Sequence, residues 1–228
     1  MSSKGKLFIM NTTISLVFDL DGVLLDSETD ISWLTRAAER TLEHFGIQNN
    51  LHHVEALYSK NVKRFKEISD QIGIEPKKLW PIRNQYYTEE KLNAMKKMII
   101  KPFPDVSTLY RLNDDYELSI ISNSPQSVVD YFIYSFNYSD LFTFGIGRGD
   151  GIKDIKLMKP HPHLYTKFLE KTKAKMYLYI GDRESDRIFA EKTGMRFFLI
   201  DRTGTQDDGF FSLLDFVEHI VSIKNKEQ

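Results

Sequence analysis

Residues 14–26 read ISLVFDLDGVLLD. Ile14 to Phe18 is an apolar, β-rich run, the composition of a buried strand, and it ends abruptly in Asp19, Leu20, Asp21 and Gly22. Two carboxylates delivered by a buried strand into one tight turn repel each other and lose hydration, which is unfavourable unless something binds there. A cation and a phosphate would account for the arrangement. Taken alone, the run also reads as a polar turn after a core strand, with Gly22 supplying a positive φ.

The same pattern recurs along the chain. Residues 117–121 (ELSII) are a second apolar run, ending in Ser122, Asn123, Ser124 and Pro125. Residues 176–180 (MYLYI) are a third, ending in Gly181, Asp182, Arg183, Glu184, Ser185 and Asp186. In an open parallel sheet the carboxyl ends of neighbouring strands share one edge, and ligands bind in the crevice outside it. The three polar tips are therefore expected to converge. Lys159, just before Pro160 in KPHPHLY, is positioned to bring a cation to the same place.

DLDGVLLD, the Ser122-Asn123 pair, Lys159-Pro160 and GDRESD, in that order, resemble the four motifs of the haloacid dehalogenase-like hydrolase superfamily. The resemblance is to its phosphoglycolate phosphatase and β-phosphoglucomutase branch, and it spans Ile14 to about Asp201. It implies an aspartate nucleophile at Asp19, which attacks phosphorus and forms an aspartyl phosphate, and a proton-transfer group at Asp21. It implies Mg²⁺ held by the Asp19 carboxylate, the Asp21 backbone carbonyl and Asp182, with Asp186 orienting a ligand or a bound water. Phosphate oxygens would be met by the Ser122 hydroxyl, the Asn123 backbone N–H and Lys159. The family more often has Ser where Arg183 stands. Ser124 followed by Pro125 reads as a helix N-cap with proline in the first turn, and His161 and His163 as capping or surface residues.

Composition agrees. A chain of 228 residues, 41% hydrophobic, can hold one α/β core plus a smaller inserted domain. A net charge of −1 offers no global field for nucleic acid or a membrane surface. With no cysteine, disulfides, thiolate metal sites and a Cys nucleophile are excluded. Leu7 to Phe18, preceded by Lys4 and Lys6, is similar to a signal peptide but runs into Asp19 without a small-residue cleavage site, so it reads as a ragged start and the first strand. No apolar run reaches membrane-spanning length, and the expectation is a cytoplasmic protein, monomer or weak dimer.

Ile31, Leu34, Ala38, Leu42 and Phe45 recur at helical spacing before Gly46, and further helical patterns cover about 53–72 and 75–98. After Pro102 and Pro104, strands near 117–121, 142–146, 176–180 and 196–200 alternate with helices near 105–113, 126–136, 162–171, 184–193 and 210–222. This is the alternation of an α/β doubly wound parallel sheet, a Rossmann-like core, with an inserted all-helical cap. The expected division is 1–22 and 102–228 for the core and 23–101 for the cap. From 49 to 101 there are 11 Lys plus Arg against 6 acids, an excess of +5, leaving −6 elsewhere. A basic half-cap over an acidic core would attract a small anionic phosphorylated substrate. Lys60, Lys63 and Arg64 are the candidate contacts to its distal end, and Tyr58, Phe65, Trp80, Tyr86 and Tyr87 are either pocket lining or core.

Within the family a phosphatase and a sugar phosphomutase share the nucleophile and differ in whether water or a sugar hydroxyl receives the phosphoryl group. The mutases carry His twelve positions after the nucleophile and Glu before the metal-binding Asp, whereas this chain has Ile31 and Gly181 there. Both departures favour water, hence a phosphatase. A 2-haloacid dehalogenase would lack the acid that Asp21 supplies. A non-catalytic binding module would be free to lose Asp19, Asp21, Lys159 or Asp182, and all four are present.

Overall fold

In the computed structural model, which describes residues 13–57, 62–206 and 208–226 with the side chains of 62–64 excepted, the first strand, β1 (Ile14–Phe18), is the centre of a five-stranded parallel sheet. Its neighbours are β4 (Glu117–Pro125) and β6 (Met176–Gly181), with β5 (Phe144–Arg148) and β7 (Arg196–Leu199) at the edges, giving the order β5-β4-β1-β6-β7. Phe18 stands level with Ile120 on one side and Ile180 on the other. After β1 the sheet grows first toward β5 and then, from β6, in the opposite direction. The carboxyl end of β1 is therefore the topological switch point of the doubly wound sheet.

Strand alternation divides the core. Leu16 and Phe18 point into one layer with Phe132, Phe142, Phe216 and Val217, and Val17 points into the other with Ile121, Leu164, Phe168 and Phe189. The helices α5 (Gln126–Ser135), α6 (His163–Leu169), α7 (Glu184–Thr193) and α8 (Leu213–Lys226) cover the two faces. The segment expected as a helix near 105–113 is a 3₁₀ helix, Pro104–Leu112, packed against α8.

Between β1 and β4 the chain makes a detour. Two very short strands, β2 (Leu25–Asp26) and β3 (Lys101–Pro102), pair antiparallel, so the chain leaves and returns side by side. Sequence periodicity cannot register strands of two residues. Between them lie α1 (Ser32–His44), α2 (Leu51–Leu57), α3 (Val62–Ile72) and α4 (Pro76–Lys96), with α1 packed along α4. Their apolar faces form a core of their own, with Leu42, Leu57, Phe65, Ile68, Leu79 and Trp80. Ile155, from beyond β5, joins it. Phe65 and Trp80 are thus core residues, stacked edge to face at 5.4 Å.

Two cationic side chains are buried where this helical layer meets the sheet. Arg148, at the end of β5, donates through Nη2 to Asn84 Oδ1 at 2.5 Å, and Arg83 donates to the Leu57 carbonyl at 3.1 and 3.2 Å. Trp80 Nε1 donates to the Asp150 carbonyl at 2.9 Å. Burial pushes the Arg83 guanidinium down to about 10.

Candidate active site

Asp19 follows β1 directly and is buried. Its backbone N–H donates to the Ile180 carbonyl at 2.8 Å, which continues the β1–β6 pairing and fixes the carboxylate at the switch point. Oδ1 accepts the Leu20 N–H at 2.7 Å and lies 2.9 Å from Lys159 Nζ. Oδ2 accepts nothing from the described residues.

Lys159 is the hub of this cluster. Its ammonium reaches Asp186 Oδ1 at 2.7 Å, the Tyr179 hydroxyl at 2.6 Å and the Ile121 carbonyl at 3.3 Å. Burial alone would push this lysine down; Asp186 and Asp19 outweigh it and hold the ammonium well above its usual range. The backbone of Lys159 is in turn gripped by Asn123, whose Oδ1 accepts the Lys159 N–H at 2.7 Å and whose Nδ2 donates to its carbonyl at 3.2 Å. Asn123 therefore ties the second strand tip to the loop that carries Lys159 through its side chain. Ser122 is buried beside it, and its Oγ accepts the Ser124 N–H at 3.1 Å.

Asp182 and Asp186 complete the cluster. One carboxylate oxygen each from Asp19, Asp182 and Asp186 lie within 4.8 Å of one another. Burial raises the Asp182 carboxyl to about 8, with further help from the charges of Asp19 and Asp186. Burial raises Asp19 too, against the pull of Lys159. Three carboxylates against one ammonium leave the cluster short of positive charge. Asp182 Oδ1 and Asp186 Oδ2 are buried without a hydrogen-bond partner among the described residues, as oxygens reserved for a cation would be. Gly22 makes the close approach possible, because it sits at φ +80° and a Cβ there would lie 2.2 Å from Asp182 Oδ2.

Asp21 belongs to a second cluster. Oδ1 accepts from the Ser27 hydroxyl at 2.7 Å and from the ammonium of Lys91, and Oδ2 accepts from the Ser124 hydroxyl at 2.7 Å. Lys91 comes from α4, is fully buried, and also donates to Ser124 Oγ at 2.9 Å. Its ammonium stands 5.2 Å from the Trp33 ring and 5.7 Å from that of Tyr87. A cavity of about 470 Å³ opens here, lined by Asp21, Ser27, Trp33, Tyr87 and Lys91, with Glu28, Ile31, Leu34 and Arg183 also contributing. Arg183 pairs with Glu28 and lies 3.5 Å from Asp182 Oδ2, bridging the cavity rim to the acidic cluster.

Ser124 is not the helix cap expected from the Ser-Pro dipeptide. It lies inside β4, Pro125 takes the N-cap position of α5, and the Ser124 hydroxyl is spent on Asp21 and Lys91. The strand simply runs four residues further than its apolar stretch. His161 behaves as a capping residue, its Nδ1 accepting the His163 N–H at 3.1 Å. Lys60, and the side chains of Lys63 and Arg64, lie outside the described residues, as does Tyr58.

Sequence reasoning missed Lys91, Ser27 and Tyr179. A signal for Lys91 existed: Trp80, Asn84, Tyr87, Lys91 and Ala94 follow helical spacing, and all are buried. A lysine at a buried-face position of a helix needs an acceptor.

Comparisons with known proteins place the chain among related sequences and folds. Phosphoglycolate phosphatase of Aquifex aeolicus is 25% identical over 185 residues, 79% of this chain and 81% of that protein. Phosphoglycolate phosphatase of Aliivibrio fischeri is 26% identical over 198 residues, 81% of this chain and 82% of that one. A crystal structure from Clostridium acetobutylicum shares the fold with a TM-score of 0.66 at 19% identity, covering 92% of this chain and 99% of that one. A 2-haloacid dehalogenase of Pseudomonas syringae does so at 0.60 and 16% identity, over 92% and 99% of the two chains. Neighbours of such different chemistry establish the fold and leave the reaction to the site. The sequence pattern of the haloacid dehalogenase-like hydrolases matches residues 16–200, which takes in all four motifs, and the chain belongs to that family.

Proposed function

We propose that the protein is a Mg²⁺-dependent phosphatase that hydrolyses small phosphorylated metabolites through an aspartyl phosphate on Asp19. The observation that carries this reading is the position of Asp19 at the switch point, with Lys159 at 2.9 Å and Asp182 and Asp186 in the same cluster. Asp19, the Asp21 carbonyl and Asp182 would hold the ion, and Asp186 would brace the set. Bound there, Mg²⁺ supplies positive charge to the transferring phosphoryl group.

The chain's own residues account for the remaining work. Asp19 Oδ2, which accepts nothing from the described residues, attacks phosphorus while Oδ1 stays fixed by Leu20 and Lys159. The bond from phosphorus to the leaving oxygen breaks, and Asp21 gives that oxygen a proton. A water then attacks the phosphorus of the aspartyl phosphate, Asp21 takes its proton, and inorganic phosphate departs with Asp19 restored. Lys159, held charged by its neighbours, offsets repulsion between Asp19 and the incoming phosphate. The helices of residues 23–101 act as a cap that excludes water.

Water rather than a sugar hydroxyl is favoured as acceptor by two positions. Ile31 lines the cavity with no proton-transfer capacity. A side chain at Gly181 would place its Cβ 2.5 Å from Asp186 Cβ, so this backbone has no room for the mutase glutamate.

The test is rapid-quench mass spectrometry on Asp21→Asn with Mg²⁺ and an aryl phosphate. The good leaving group needs little protonation while the second step still needs a base, so aspartyl phosphate accumulates on the peptide carrying Asp19. Phosphorylation on another residue, Ser122 for instance, contradicts the mechanism. Hexose 1-phosphate should yield free phosphate without its 6-phosphate isomer.

A further inference from the structure

We propose that the joint between the helical insert and the sheet holds a monatomic anion, a halide, between the guanidinium groups of Arg83 and Arg148. Arg83 comes from α4 and Arg148 from the end of β5, and both are buried, at 6% and 3% exposure. They flank the same two rings. The Arg83 guanidinium carbon stands 5.6 Å from the Trp80 ring and 4.6 Å from that of Tyr87, and the Arg148 carbon stands 5.3 and 5.8 Å from them. Two positive charges are thus brought together out of water, and neither has a buried counter-ion. Among the described residues no carboxylate pairs with Arg83, and Arg148 pairs only with Asp150, 3.9 Å away on a side chain that is 74% exposed, where solvent screens the attraction. Burial lowers both guanidiniums, and the charge of Arg148 lowers Arg83 further.

The two side chains also have donors to spare. Arg83 spends Nε and one Nη2 hydrogen on the Leu57 carbonyl, and Arg148 spends one hydrogen of each Nη on the Gly149 carbonyl and Asn84 Oδ1. All three acceptors are neutral. Every guanidinium carries five N–H groups, so more than half of those on each arginine meet no acceptor among the described residues. Both arginines line one cavity of about 10 Å³, together with the two rings, Asn123 and Met158, and no residue lining it is acidic. That volume admits one occupant about the size of a water molecule. A water there would accept hydrogen bonds and leave the two charges uncompensated, whereas an anion is attracted by both in a setting of low dielectric. The same volume is too small for phosphate or an organic acid, which leaves a halide, chloride being the abundant one. Its place ties α4 to β5 beside Asn123, the residue that grips the backbone of Lys159.

The experiment titrates the full-length protein with sodium chloride or sodium bromide against sodium gluconate at constant ionic strength and follows Tm by scanning calorimetry. Wild type should show a saturable rise with either halide, about 5–10 °C at a hundred times the Kd for a chain of this size, and Arg148→Met should show none. A Tm that is the same in chloride and gluconate, or a rise that does not saturate, overturns the inference. So does an equal rise in wild type and Arg148→Met, which would place the halide elsewhere. Should Arg148→Met not fold, crystals of wild type soaked in bromide decide. An anomalous peak between the two guanidiniums upholds the site, and peaks at other positions alone, an adventitious ion only, overturn it. None of these readouts depends on turnover, so the phosphatase reading stands or falls separately.

Discussion

Asp19 and Asp21 are separated by one residue, and their surroundings differ in origin and in charge. Asp19 is met by Lys159, Asp182 and Asp186, all from the tips of the parallel strands or the loops beside them, in a cluster with more carboxylates than cations and two orphaned oxygens. Asp21 is met by Ser27, Ser124 and, from 70 residues away in α4, Lys91, and its hydrogen bonds are already made. One carboxylate stands in a cluster rich in negative charge, with oxygens suited to a cation. The other stands in a site that is neutral and complete, and that has to be opened by whatever binds.

The largest expected effect tests the first half of that contrast. Asp19→Asn should lower Mg²⁺-dependent hydrolysis of an aryl phosphate by at least about a thousandfold, or ~4 kcal/mol of barrier, and show no covalent phosphate. EDTA should do the same to wild type. Full activity in EDTA would sink the cation assignment, and turnover of 2-haloacids would replace the phosphatase reading.

Gly22→Ala should come next. The left-handed backbone costs a non-glycine residue about 1–2 kcal/mol, and the new Cβ would sit 2.2 Å from Asp182 Oδ2, so that carboxylate is displaced. A loss of about a hundredfold in activity with an intact fold by circular dichroism is expected. Undiminished activity would show that Asp182 is not held where the strand tips bring it.

How much of this was legible in the sequence follows from the same contrast. The Asp19 cluster is written locally: three apolar runs end in polar tips that parallel-sheet topology brings together, with Lys159 between the second and third, and the order of these motifs carries the family resemblance through which Asp19, Ser122, Lys159 and Asp182 could be named. The Asp21 cluster is written across tertiary packing. Lys91 looked like one of eleven cations in a basic insert, because its partners depend on how α4 lies over the sheet. Ser124 was misread because Ser-Pro is equally at home capping a helix, and only the length of β4 decides between the roles. The ribbon of β2 and β3 escaped because two residues carry no period. The 3₁₀ helix at 104–112 escaped because its composition is that of an α-helix.

Cation binding separates the clusters without reference to turnover. Filling a site of three carboxylates at a Mg²⁺ concentration a hundred times its Kd should stabilise the fold by about 2.7 kcal/mol, seen as a rise in Tm by scanning calorimetry. Asp182→Asn should abolish that rise. Asp21→Asn should leave most of it, since under the proposed reading Asp21 would offer the ion its backbone carbonyl rather than its side chain. Equal loss in the two variants would show that the clusters are one site and that the contrast is mistaken.

The smallest effects grade the partners of Asp21 against each other. Ser27 lines the cavity, so water can take over when its hydroxyl is removed, and Ser27→Ala should cost only about two- to tenfold in kcat/KM. Ser124 is buried, bridges Asp21 to Lys91 and is not among the residues that line the cavity. Ser124→Ala leaves an ammonium hydrogen and a carboxylate oxygen unpaired at once, and should therefore cost several times more than Ser27→Ala. Neither variant should alter the Mg²⁺-induced rise in Tm. If Ser27→Ala proves the more damaging of the two, Asp21 is held chiefly from the cavity side, and its link through Ser124 to α4 is not what positions it.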